Sequence, residues 1–116
     1  MAKTDHYICP CCGYTELEQP PYREMPVPPF EGALPPPPYA PHFGDPSYEV
    51  CDCCGFEFGY DDEPGTAAPV SFAEYLGEWI ADGAEWFVPE KRPPHWDLHT
   101  QLASAGIAWP AGAALR

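Results

Sequence analysis

Residues 8–14 read ICPCCGY, and residues 50–56 read VCDCCGF. Aligning Cys9 with Cys51 superimposes Ile8 on Val50, Cys11 on Cys53, Cys12 on Cys54, Gly13 on Gly55 and Tyr14 on Phe56. Each copy holds three cysteines where a metal knuckle uses two. The spacing Cys9-x-x-Cys12 with Cys51-x-x-Cys54 is that of a four-thiolate zinc ribbon, in which the sulfurs converge on one tetrahedral ion at about 2.3 Å each. The residue after the second ligand of such a turn needs a positive φ, which glycine adopts without steric cost. Gly13 and Gly55 stand there in both copies. Pro10 stiffens the first turn by fixing its own φ. Cys9, Cys12, Cys51 and Cys54 are therefore the expected ligands of one structural Zn²⁺. Adjacent side chains on a tight turn do not readily both face one tetrahedral centre, so Cys11 and Cys53 need another account. They are small apolar fillers beside the turns, a reactive pair that oxidises near the zinc thiolates, or part of a second metal site or cysteine-rich cluster.

Working outward, the flanking residues suit short strands, Tyr7–Ile8 with Tyr14–Leu17 and Tyr48–Val50 with Phe56–Phe58. Residues 57–58 continue the alternation of aromatic and polar positions expected of a half-buried strand. Between the two units lies an insert, residues 19–47. Eleven of the chain's eighteen prolines fall between Pro20 and Pro46. Proline removes donors and fixes φ, so this stretch is expected to form neither a helix nor a central strand. It reads as a polyproline-like strap, pinned to the domain by Tyr22, Phe30, Tyr39 and Phe43. Its PPPY at 36–39 also has the form of a WW-domain ligand. The acidic run Asp61-Asp62-Glu63 reads as a solvated turn.

Beyond residue 63 two short helices are expected. Ser71 with Glu74 makes a capping box, after which Phe72, Leu76, Trp79 and Ile80 share one face. Gly83 ends this helix through a left-handed turn. An extended link, EWFVPEKRPP (85–94), follows with two aromatics to bury. Asp97 caps the second helix, in which Leu98, Leu102 and Ala105 share a face. Gly106 sits at its end, with Ile107 reaching back toward Leu102. Trp109 anchors the tail AWPAGAALR (108–116).

Composition narrows function. The formal charge is −13, from 18 acidic and 5 basic side chains. A chain with so few cations has little to neutralise phosphates, which disfavours nucleic acid and anionic membrane surfaces. The charge suits a soluble protein and a basic protein partner. Residues 1–7 have no apolar run after Lys3, so no signal peptide is expected. Six cysteines then point to a reducing, cytoplasmic setting and metal chemistry rather than disulfides. No glycine-rich phosphate loop or nucleophile elbow is present. His6 and His42 are expected as ordinary histidines. His95 and His99 have an i,i+4 spacing that can bind metal, but HWDLH lacks the glutamate arrangement of a metalloprotease. These alternatives remain: a redox protein using Cys11 and Cys53, or a hydrolase using His95 and His99.

The segments YICPCCGYTEL (7–17) and YEVCDCCGFEFGYDD (48–62) resemble the bacterial cysteine-rich CPCC family of small zinc-ribbon-like proteins. SFAEYLGEWIADGAEWF (71–87) and PPHWDLHTQLASAGI (93–107) resemble the tails of other small bacterial proteins with such a ribbon. The second cluster reads CDCCGF where the family usually has CPVC and an aromatic, and 38 residues separate Cys12 from Cys51 where the family's spacer is short. The resemblance implies fold and metal, and no established activity. An immunity role is among its implications, because members of such families sometimes lie beside toxin genes. The expected whole is one small α+β domain over residues 1–116. It comprises a four-cysteine zinc ribbon of two knuckle hairpins (6–62) interrupted by the proline-rich strap (19–47), and a helical C-terminal part with two short helices (63–116). Metal binding would supply much of the folding energy, about 10 kcal/mol or more. The expected role is non-catalytic: an inhibitor-like or immunity-like module.

Overall fold

The computed structural model describes residues 6–65 and 67–110. Three short α-helices appear in it: α1 (Ala40–Phe43), α2 (Phe72–Ala81) and α3 (Leu98–Ala105), with a 3-10 turn at Pro89–Lys91 between the last two. The first copy of the cysteine unit precedes α1 and the second lies between α1 and α2.

The expected strand pairs are reduced to single antiparallel bridges. Tyr7 pairs with Leu17 and Val50 with Glu57, and a third bridge joins Tyr22 to Pro46. No named strand forms among the described residues. Around the second turn the ladder stops because both flanks leave extended geometry: Tyr48 has φ 61° and Gly59 has φ 95°. Beyond the first turn, the N–H groups of Glu18 and Gln19 turn away to the Glu49 carboxylate, at 2.9 and 3.1 Å. Backbone donors that a hairpin would have paired are thus spent on a side chain from the other turn.

Helix α2 follows its sequence signals closely. The Ser71 hydroxyl accepts from Glu74 N–H at 3.1 Å, and the Glu74 carboxylate accepts from Ser71 N–H at 3.0 Å. Phe72, Leu76, Trp79 and Ile80 are its buried residues. It ends where Gly83, at φ 111°, lets Ala84 N–H reach Trp79 O and its own N–H reach Ile80 O. Helix α3 is capped by Asp97, whose carboxylate accepts from Thr100 N–H at 2.9 Å. Leu98, Leu102 and Ala105 face inward, and Gly106 (φ 70°) closes the helix with Ile107 N–H on Leu102 O. The 85–94 link is less uniform than expected. Trp86 is buried, Phe87 is largely exposed, and residues 89–91 coil into the 3-10 turn.

The insert departs from expectation by containing a helix. Pro41 lies in the first turn of α1, where a missing N–H costs nothing. The two ends of the insert are tied together: Arg23 N–H bonds Asp45 O, Glu24 N–H bonds Phe43 O, and Ser47 N–H bonds Pro21 O. Tyr22 and Tyr39 are buried as pins, and the Tyr39 ring stacks on Phe72 with centroids 4.2 Å apart. A tyrosine so placed is not available to a WW domain in the folded chain. The strap, both cysteine turns, α2 and α3 share one cluster of buried residues.

The reading of Asp61-Asp62-Glu63 as a solvated turn fails at its centre. Asp62 is fully buried. Its two carboxylate oxygens accept from Tyr39 N–H and Gly59 N–H, both at 2.9 Å. Burial of a carboxylate is tolerated when backbone donors replace its water. Here those donors come from the strap and from the end of the second cysteine unit. Residues 111–116, the end of the tail beyond Trp109, lie outside the described residues, as do residues 1–5 and Thr66.

Candidate metal centre

The two cysteine turns use the same hydrogen bonds. In the first, Cys9 N–H donates to Tyr14 O at 2.7 Å and Gly13 N–H to Cys9 O at 2.9 Å. In the second, Cys51 N–H donates to Phe56 O at 3.0 Å and Gly55 N–H to Cys51 O at 2.9 Å. Gly13 and Gly55 take φ of 85° and 82°, the left-handed conformation expected of them. Each turn thereby presents two sulfurs on one side.

The two turns bring Cys9, Cys12, Cys51 and Cys54 together, with all four sulfurs within 4.8 Å of one another. Cys9 Sγ lies 3.9 Å from Cys54 Sγ, and Cys12 Sγ lies 3.7 Å from Cys51 Sγ. Four sulfurs bonded at 2.3 Å to one tetrahedral centre stand about 3.8 Å apart. Both of these contacts cross from one turn to the other, so the tetrad fastens segments about 40 residues apart in sequence. All four residues are buried. Four soft sulfur donors at this spacing fit a thiophilic ion such as zinc or iron.

Without an ion the site is electrostatically costly. Burial, only partly offset by hydrogen bonds from Cys12 and Cys54, pushes the Cys9 thiol up to about 12. Burial likewise drives Cys12 and Cys54 well above the ordinary thiol value. At Cys51 burial is outweighed by hydrogen bonds from Cys12, Cys54 and Cys9, and its pKa falls well below 9.0. Packed this closely and this deeply, four thiolates are stable together only with a cation at their centre.

Cys11 and Cys53 lie outside this tetrad. They are 1% and 0% exposed. Cys11 donates to Phe72 O at 3.5 Å, and burial raises its pKa. Cys53 accepts from Gln101 Nε2 at 3.5 Å. Reactive thiols need access and a stabilised thiolate. Neither side chain has the access, and the geometry matches apolar filling beside the turns.

The histidines stay apart from the sulfurs. His6 pairs with Glu16 at 3.7 Å on the surface. His42 is exposed on α1 beside Phe43. His95 is exposed, and His99 stacks flat against Trp109 with centroids 4.0 Å apart. Among the described residues, the four cysteines are the only set of three or more metal-type side chains drawn together. His95 and His99 therefore form no site with the nearby carboxylate Asp97, which is committed to Thr100.

Several supports of the centre had no signal in the sequence. Tyr75 of α2 donates its hydroxyl to Cys54 O at 3.1 Å. Phe87 N–H and Val88 N–H bond Cys53 O and Asp52 O, laying the 85–94 link along the second turn. Lys91 closes that contact with an ion pair to Asp52 at 2.8 Å. Gln101 of α3 donates to Cys12 O at 2.9 Å. Only the assembled fold brings these partners within reach.

Comparison with known proteins yields a distant relative. The chain is 27% identical over 97 residues to an uncharacterized protein of Bacillus subtilis (strain 168), YoaQ, across 75% of this chain and 68% of that protein. No family model matches the chain, and no solved structure matches it. These comparisons give no support to the CPCC family, and that resemblance rests on the two cysteine units alone. No helix among the described residues is long and apolar enough to cross a membrane.

Proposed function

We propose that the tetrad holds one structural Zn²⁺, that the two turns are the knuckles of a zinc ribbon related to the CPCC family, and that the chain is a non-catalytic cytoplasmic module that docks a basic protein partner, as an inhibitor or immunity protein would. The observation that carries this reading is the enclosed sulfur tetrad. Four protein ligands complete a tetrahedral zinc and leave no position for water or substrate, which favours a structural ion over a catalytic one. The partner part draws on charge. Of the five cations, Arg23 and Lys91 are committed to Asp45 and Asp52, and Arg92 lies over the Trp96 ring. An apolar cleft of about 580 Å³ also opens between the strap and α2, walled by Phe30, Leu34, Phe72, Leu76 and Ile107, with Glu74 among its lining residues. Such a cleft suits an apolar side chain flanked by lysine or arginine.

Metal content per chain tests the first part. One equivalent of zinc is expected in the native protein and none in a Cys9→Ser, Cys54→Ser double variant. A folded native chain without metal overturns the reading. Affinity capture from the native host tests the second part. A basic protein retained by the native chain and lost by Leu34→Glu supports it, and equal retention by both rejects the cleft as the docking place.

A further inference from the structure

Helix α3 touches both cysteine turns through one side chain. Gln101 Nε2 donates to Cys12 O at 2.9 Å and lies 3.5 Å from Cys53 Sγ. Cys12 is a ligand of the first turn, and Cys53 immediately precedes Cys54, a ligand of the second. The other end of the amide is held as well: Gln101 Oε1 accepts from Trp96 Nε1 at 2.8 Å. An indole N–H is only a donor, so it takes the amide oxygen and obliges the NH₂ group to face Cys12 O and Cys53 Sγ. Trp96 in turn sits between Trp79 and Trp86, at centroid distances of 6.3 and 5.4 Å. The backbone approach is equally close. A Cβ on Gly13 would come within 2.9 Å of Gln101 O.

We propose that Gln101 is a positioning residue of the metal centre, its amide bridging the Cys12 carbonyl and the Cys53 sulfur so that the two knuckles keep the separation a single tetrahedral ion requires. The proposal rests on the reading of the tetrad as a metal site. Partners one layer out from metal ligands orient those ligands, and removing them commonly costs 10–100-fold in affinity. Gln101 makes no bond to the ion. It acts on the turns, and a neutral amide is suited to this because it offers two N–H groups without adding charge to an already anionic cluster.

The test uses the full zinc-loaded chain and reads zinc transfer to a chromogenic chelator, together with the ¹¹³Cd NMR resonance of cadmium-substituted protein. Gln101→Met keeps the length of the side chain and removes its donors. It should release zinc about 10-fold faster and displace the cadmium resonance. Ala103→Gly, on the exposed side of α3, weakens the helix without touching either knuckle, and should leave both readouts near the native values. If Gln101→Met lowers the thermal midpoint but releases zinc at the native rate, or if Ala103→Gly releases it equally fast, the positioning role is wrong. A native chain that binds neither zinc nor cadmium would instead remove the metal reading itself.

Discussion

At the scale of single residues, Asp62 and Gly13 show how much one position can carry. Inside the core, Asp62 satisfies two backbone donors, Tyr39 N–H from the strap and Gly59 N–H from its own turn. Each N–H left without a partner there costs about 1–3 kcal/mol. Asp62→Ala should therefore lower the unfolding free energy of the protein by more than Asp62→Asn, which keeps one acceptor oxygen. Urea titration checks this, and equal losses would contradict it. Gly13 and Gly32 share φ 85° but not surroundings. A Cβ on Gly32 meets nothing, whereas one on Gly13 meets Gln101 O and Ala105 Cβ, at 2.9 and 3.2 Å. Gly32→Ala is expected to cost only the conformational term, about 1–2 kcal/mol. Gly13→Ala should cost clearly more and release metal faster, as read by the same titration and by chelator competition.

At the scale of elements, α2 is written locally and the cysteine turns only half so. Ser71 and Glu74 form their reciprocal cap within four residues. Ser71→Ala should cost about 0.5–2 kcal/mol, measurable by urea denaturation. The cap also carries a pH signature. Hydrogen bonds from the Ser71 backbone and hydroxyl hold the Glu74 carboxyl below its ordinary 4.5. A depressed folded value means the contribution is complete above 4.5 and is lost as the pH falls through the lower folded pKa. Glu74→Gln should flatten that acidic limb of the stability profile, and an unchanged limb would show that the box contributes nothing there. The turns differ in kind. Their glycines and ligands are local, but the bridges Tyr7–Leu17 and Val50–Glu57 never lengthen into strands, because neighbouring donors go to Glu49 and because Tyr48 and Gly59 leave extended geometry.

At the scale of the whole molecule, two opposed effects set stability. The Cα radius of gyration is 13.7 Å, close to the roughly 13 Å expected for a compact chain of about 100 residues. Against this compaction works a net charge of −13. Self-repulsion of that size destabilises the compact state, and salt screens it over a Debye length that falls from about 30 Å at 0.01 M to about 10 Å at 0.1 M. The thermal midpoint of the metal-loaded protein should rise as sodium chloride is raised across that range. Differential scanning calorimetry checks it, and a falling midpoint would show that specific ion pairs such as Lys91–Asp52 outweigh general repulsion.

The sequence by itself determined the pieces whose physics is local: the two glycine-closed cysteine turns, the four sulfurs with compatible spacing, the capped and amphipathic faces of α2 and α3, and three of the strap's four expected aromatic pins, Tyr22, Tyr39 and Phe43, Phe30 staying outside the core. A two-residue spacer, a positive φ and a 3.6-residue period are all legible within a dozen residues. Only the tertiary structure decided which distant groups meet. It turned Asp62 from a presumed surface acid into the buried acceptor that ties Tyr39 to Gly59, and it set Gln101 across both turns. It buried Cys11 and Cys53, left His95 and His99 on the surface, and replaced the expected hairpins with single bridges. The reason is the same in each case: a hydrogen-bond donor or acceptor takes whichever partner packing brings close, and that choice belongs to the folded chain as a whole.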